Sequence, residues 1–124
     1  MSRGPKFKAA EAKDFAGALN YLSLTSSDRR AARYVSAFRR AKMVRRAAKD
    51  ILRASGLPLL PRDTARVAVD LKKIRVGKAL SPVLLVRGDL VRGLPLIIAD
   101  GYHRTCALYY YAPETMVPCL LVAR

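Results

Sequence analysis

Leu94-Pro95-Leu96-Ile97-Ile98-Ala99-Asp100-Gly101-Tyr102-His103-Arg104-Thr105 is the stretch on which the reading of this chain turns. A short apolar run closed by turn residues has the character of a buried strand. Gly101 breaks the run, and the residues from Tyr102 to about Tyr111 read as a helix that Pro113 stops. A strand that breaks on glycine into a helix leaves free backbone N–H groups at the helix N-terminus. The positive end of the helix dipole lies at the same place, so the corner can hold an anion. His103, the only histidine of the chain, and Arg104 stand in the first turn of that helix.

Working outward, Pro82 opens a second apolar run, Val83-Leu84-Leu85-Val86. The connection from Arg87-Gly88-Asp89 to Arg92-Gly93 is short and glycine-rich, which predicts an antiparallel hairpin between the two runs. Upstream, Val67, Leu71 and Ile74 fall at i, i+4 and i+7, the spacing of a helix from Asp63 to Lys73. Asp63 or Thr64 can cap it, and Gly77 ends it. A last strand is expected from Val117 to Val122. Residues 57–124 therefore read as α-β-β-α-β.

Residues 1–56, up to the break at Gly56-Leu57-Pro58, read as three helices. The first, Lys8 to Leu24, carries Phe15, Leu19 and Leu22 on one face. The second, Ser27 to Arg40, has a Ser-Ser-Asp start and a stripe of Ala31, Val35 and Phe38. The third, Val44 to Ala54, buries Val44, Ala47, Ala48 and Ile51 and stops at Ser55-Gly56. The expected fold class is α+β, a small mixed sheet preceded by a basic helical part, the two together forming one compact domain.

A length of 124 residues suits one domain with a modest core. The longest apolar runs fall far short of the roughly 18–20 residues of a bilayer span. The first residues have no apolar stretch of the kind a secretory signal needs. A cytoplasmic protein with no membrane partner is expected. Two cysteines, Cys106 and Cys119, are too few for a disulfide framework or a cysteine zinc site, so reduced thiols side by side in the core are expected, and no metal site.

The formal net charge is +15, and residues 1–56 hold 14 basic side chains against 4 acidic ones. Such an excess favours polyanionic partners. Arg29, Arg30, Arg33, Arg39, Arg40, Arg45 and Arg46 are candidates for contact with a nucleic-acid backbone. No helix face rich in Asn, Gln and Arg stands out, so base-specific readout has no support.

Leu80-Ser81-Pro82-Val83-Leu84-Leu85-Val86, followed after a hairpin by Ile97-Ile98-Ala99-Asp100-Gly101-Tyr102-His103-Arg104, resembles the ParB/sulfiredoxin-like superfamily. The resemblance runs from about Leu59 to Val122. It implies a nucleotide-binding domain whose Gly-x-His-Arg-like corner grips the phosphates of ATP, ADP or CTP, with Mg²⁺ accompanying the nucleotide. Gly101 would let the backbone approach, and Tyr102, His103, Arg104 and Thr105 would face phosphate oxygens. Lys78 and Ser81 would approach from the preceding loop. Sulfiredoxins place a catalytic cysteine immediately before His-Arg, where this chain has Tyr102, so sulfinic acid reduction is not expected. ParB proteins carry a helix-turn-helix domain after this module, and none is expected here. Free-serine kinases, with a similar corner, need a carboxylate base. Asp100 is the acid placed there, with His103 the other catalytic candidate, and Asp100 equally suits a helix cap.

The functional expectation is a nucleotide- or phosphate-binding protein, with phosphoryl transfer or nucleotide hydrolysis as an attached activity. The alternative is a non-enzymatic nucleic-acid-binding protein.

Overall fold

The computed structural model describes residues 4–124. The elements are α1 (Ala12–Leu22), α2 (Asp28–Arg40), β1 (Met43–Ala47), α3 (Ala48–Ser55), α4 (Ala65–Val76), β2 (Val83–Val86), β3 (Ile97–Asp100), α5 (Tyr102–Tyr111) and β4 (Met116–Val122). The fold is α+β. Its four strands form one mixed sheet in the order β1-β4-β2-β3.

β2 pairs antiparallel with β3, as the glycine-rich connection predicts, with a register shift between Leu84 and Leu85. β4 lies parallel to β2 and antiparallel to β1. All four residues of β2 are buried. That explains an unbroken apolar run where a half-exposed strand would alternate. Pro118 lies inside β4, opposite Arg45 of β1. β2 joins β4 only from Cys119 onward, so the missing proline N–H falls where β4 has a single neighbour.

Helices cover both faces of the sheet. On one, Ala18 and Leu22 of α1 and Val35 and Phe38 of α2 pack on Leu84, Val86, Leu120 and Val122. On the other, Ile51 of α3 and Leu108 of α5 pack on Val83, Leu85, Val117 and Cys119. The alternation along β2 and β4 divides their side chains between the two layers. α4 packs on α5 through Val67, Cys106 and Ala107. The two thiols thus lie in different clusters, both buried and free, and are not side by side as expected.

α2 forms as the sequence predicts. Ser27 caps it by accepting from the Arg30 N–H, Asp28 sits in the first turn, and Ala31, Val35 and Phe38 are buried. Like-charged arginines along it cost a few tenths of a kcal/mol per pair. Burying Val35 and Phe38 returns about 1.5–3 kcal/mol each, which decides the outcome. α1 is shorter than expected, and Leu19 is exposed while Asp14 takes a buried place.

The expected third helix forms only from Ala48 to Ser55, and its first turn is replaced. Met43 to Ala47 form a strand, and the chain passes directly into α3 at Ala48. The edge of β4 offers this segment a ladder of backbone hydrogen bonds, and Val44 still packs inward against the core. The first N–H groups of α3 are taken by carbonyls of the α5–β4 turn, Ala48 N to Thr115 O at 2.9 Å and Lys49 N to Pro113 O at 3.0 Å. The helix therefore needs no side-chain cap. Gly56 closes α3 and Gly77 closes α4 in the left-handed conformation, as the sequence suggests. β3 is shorter than its apolar run. Leu94 belongs to the hairpin loop, where it bridges Asp89.

Candidate functional site

Gly101 is where β3 turns into α5. Its φ of +105° favours glycine, and an added Cβ would lie 2.5 Å from Val83 Cγ1 and 2.9 Å from Arg104 Nη2. Gly17 of α1 plays the matching part opposite, where a Cβ would lie 2.5 Å from Asp100 Oδ1. The corner is thus closed by two residues without side chains. No side chain caps α5. Asp100 is therefore not a helix cap. It accepts a 2.9 Å hydrogen bond from Arg104 Nη2.

Arg104 is held firmly. Nη2 also donates to Pro82 O at 3.0 Å, and it stands 3.8 Å from Asp14 Oδ1. Asp14 is buried in the first turn of α1, where its other oxygen accepts from Glu11 N at 2.8 Å. The guanidinium therefore neutralises Asp100 and faces Asp14 instead of presenting a free fork to a ligand. Among the described residues its Nε is buried with no hydrogen-bond partner. Burial pushes the Asp100 carboxyl above the ordinary carboxylate range. Arg104 pulls it down, and Asp14 pushes it further up.

Beside this corner opens a pocket of about 260 Å³. Asp14 and Gly17 reach it from α1, Arg66, Asp70 and Lys73 from α4, and Gly101, His103 and Arg104 from the corner. Lys8 and Lys13 also line it. Lys8 is brought there by a short bridge in which Lys8 N donates to Leu80 O and Leu80 N to Lys6 O. Asp70 is largely buried, and that burial pushes its carboxyl up although Arg104, Lys73, Arg66 and His103 act to lower it. Its nearest cation is Lys73, at 4.0 Å.

The other expected residues divide. Ser81 is buried and lines the pocket. Lys78 is exposed and is not among the residues lining it, and its backbone N–H closes α4 on Lys73 O. Thr105 is fully buried and its hydroxyl donates to Gly101 O at 2.9 Å, so it braces the turn. The Tyr102 side chain is directed away, its hydroxyl donating to Pro58 O at 2.5 Å. Tyr110 similarly donates to Leu60 O, with the Arg62 guanidinium 5.0 Å from its ring. Asp14, Asp70, Arg66, Lys73, Lys8 and Lys13 were not legible as site residues. They come from α1, α4 and the N-terminal segment, and only the tertiary fold brings them to the corner.

Away from this pocket, Arg29, Arg30, Arg33, Arg39 and Arg40 are exposed on α2, and Arg45 and Arg46 on the edge strand β1. Among the described residues none of the seven forms an ion pair. Arg39 lies over the Phe15 ring at 4.4 Å, and Arg40 donates to Ser36 Oγ at 2.8 Å.

Among the described residues no helix is long and apolar enough to cross a membrane. Nor, among them, is any group of three or more His, Cys, Asp or Glu side chains placed to hold a metal ion. No protein-family model, no curated protein and no solved structure matches the chain.

Proposed function

We propose that the pocket beside Gly101 binds the phosphate group of a small ligand, a nucleotide such as ATP, ADP or CTP being the class the sequence suggests. One observation carries this reading. Lys8, Lys13, Arg66, Lys73 and Arg104, with His103, line the same pocket as the uncapped start of α5, against three carboxylates in the pocket and Glu11, which pairs with Lys8 and Lys13 beside it. The excess is cationic and the helix dipole has the same sign. At about 260 Å³ the pocket is smaller than the roughly 300–1,000 Å³ of sites that enclose a whole drug-sized ligand. It suits one or two phosphate groups, with the remainder of the ligand outside.

The roles differ from those the motif implies. Arg104 organises the corner by holding Asp100 and Pro82, while Arg66, Lys73 and His103 do the gripping. Asp100, bound to Arg104, is poorly placed as a base. Asp70, raised by burial and beside the same pocket, is the better acceptor for a hydroxyl or water proton in any transfer or hydrolysis.

Titration calorimetry with inorganic phosphate, ADP, ATP and CTP, with and without Mg²⁺, tests the reading. At least one should bind wild type. The double variant Arg66→Ala/Lys73→Ala should weaken it at least tenfold, the scale of one lost charge-assisted hydrogen bond of about 1.5–3 kcal/mol. No binding by any of them, or binding indifferent to both substitutions, sinks it.

A second reading, nucleic-acid binding, is favoured by the seven exposed arginines of α2 and β1, none of which forms an ion pair among the described residues. Its mark is a steep fall of affinity with salt, and a flat salt response excludes it.

A further inference from the structure

At the end of the sheet where β2 runs into the hairpin loop, two adjoining hollows of about 420 and 360 Å³ share Arg30, Tyr34 and Arg124. Arg33 lines the second, and among the described residues no Asp or Glu side chain lines either. Arg30 stands 5.9 Å from the centre of the Tyr34 ring. Arg124 donates from Nη2 to Pro95 O at 2.9 Å, which ties it to the hairpin loop. Three arginines from two separate parts of the chain thus line one groove, and Arg124 is held there by its bond to Pro95 O, with no Asp or Glu side chain of the described residues beside them.

Beside the groove stands the hairpin loop between β2 and β3. Val86 and Ile97, the last and first residues of its strands, line the larger hollow. The loop is built. Asp89 and Leu94 exchange backbone hydrogen bonds of 2.8 and 2.9 Å, Asp89 Oδ1 accepts from Arg92 N at 3.2 Å, and Gly93 takes a φ of +69°. This frame presents Leu90 and Val91 at 98% and 96% exposure, the most exposed large apolar side chains of the described residues. Arg87 and Arg92 flank them, both exposed. Neither apolar side chain contributes to the core, so this hydrogen-bonded turn offers two adjacent apolar side chains to a partner.

We infer that this end of the molecule is an interface for double-stranded nucleic acid, an inference that rests on the second reading above and gives it a location. Arg30, Arg33 and Arg124 take backbone phosphates along the groove. Leu90 and Val91 enter the adjacent minor groove as an apolar wedge between base steps, with Arg87 and Arg92 on the flanking phosphates. The charge of +15 supplies the long-range attraction. A duplex fits better than a single strand. Single-strand binders stack bases on aromatic rings, and the one aromatic side chain lining this groove, Tyr34, already faces Arg30.

Fluorescence anisotropy with a labelled mixed-sequence DNA duplex and its single strand, across a salt series, tests this on the full chain. Wild type should bind the duplex more tightly. Arg30→Ala/Arg33→Ala/Arg124→Ala should lower the slope of log affinity against log salt by about 2–3, near one per lost phosphate contact. Leu90→Ser/Val91→Ser should weaken binding by about tenfold (~1.4 kcal/mol) with the slope unchanged, because it removes no charge. It should also abolish the fluorescence rise of a 2-aminopurine base in the duplex. All five side chains are exposed or line surface hollows, and circular dichroism verifies that the variants keep the fold. Absence of duplex binding at low salt overturns both the second reading and this location. Duplex binding that survives both sets unchanged but falls with Arg39→Ala/Arg40→Ala/Arg45→Ala overturns the location alone. Tighter binding of the single strand, or binding only to an acidic peptide, also overturns it.

Discussion

Burial raises the carboxyl of Asp70 above the ordinary carboxylate range even though four cationic or titratable neighbours pull the other way. The folded protein therefore keeps a proton on Asp70 at pH values where the unfolded chain has released it. Folded-state protonation favours folding, so this contribution is full below the ordinary aspartate range. It is lost as pH rises through the raised value. Asn in its place does not titrate. The melting temperature of Asp70→Asn minus that of wild type should accordingly increase from pH 4 to pH 7, measured by thermal denaturation in parallel buffers. A difference that stays flat or shrinks contradicts burial as the dominant influence. The cysteines carry the same physics. Burial lifts the Cys119 thiol to about 11, only partly opposed by Arg46, and lifts Cys106 as well. At neutral pH both are inert packing groups.

At the scale of elements, the junction of β1 and α3 shows what local pattern can and cannot reveal. α2 was legible because its cap, its first-turn acid and its apolar stripe all lie within its own residues. The β2–β3 hairpin was legible because turn chemistry sits between two apolar runs. Val44, Ala47, Ala48 and Ile51 fit a helical face equally well, and nothing local opposes it. What makes Met43–Ala47 a strand is the free edge of β4, far along the chain. The same separation hid half of the candidate site. Gly101, His103 and Arg104 lie within four consecutive residues and are readable, whereas Asp14 and Asp70 reach the corner from helices that sequence spacing cannot orient. The strand-to-helix passage at Ala48 leaves no room for a larger side chain, since Ala48 is fully buried and its N–H is tied to Thr115. Ala48→Leu should lower stability by about 1–3 kcal/mol through overpacking, read from the urea midpoint. The half-exposed neighbour Lys49→Ala should change it little. Equal losses in the two variants would show that the burial of Ala48 does not govern the junction.

Across the whole molecule, the boundary near Gly56 that composition suggests separates charge but not structure. β1 belongs to the basic part, yet it completes the sheet through β4. α1 and α2 cover a face whose strands all lie after residue 82. A fragment of residues 57–124 would expose Leu84, Val86, Leu120 and Val122 to water and leave one edge of β4 unpaired. Expressed alone, it should show no cooperative thermal transition by circular dichroism. A sharp transition would mean that the C-terminal part is self-sufficient.

The place of β4 between β1 and β2 also sets an order in time. A nascent chain leaves the ribosome with α1, α2 and the β2–β3 hairpin available early, but β1 has nothing to pair with until Met116–Val122 emerge. β1 and the second edge of β2 must wait for this last strand, so the sheet is completed only as Met116–Val122 emerge.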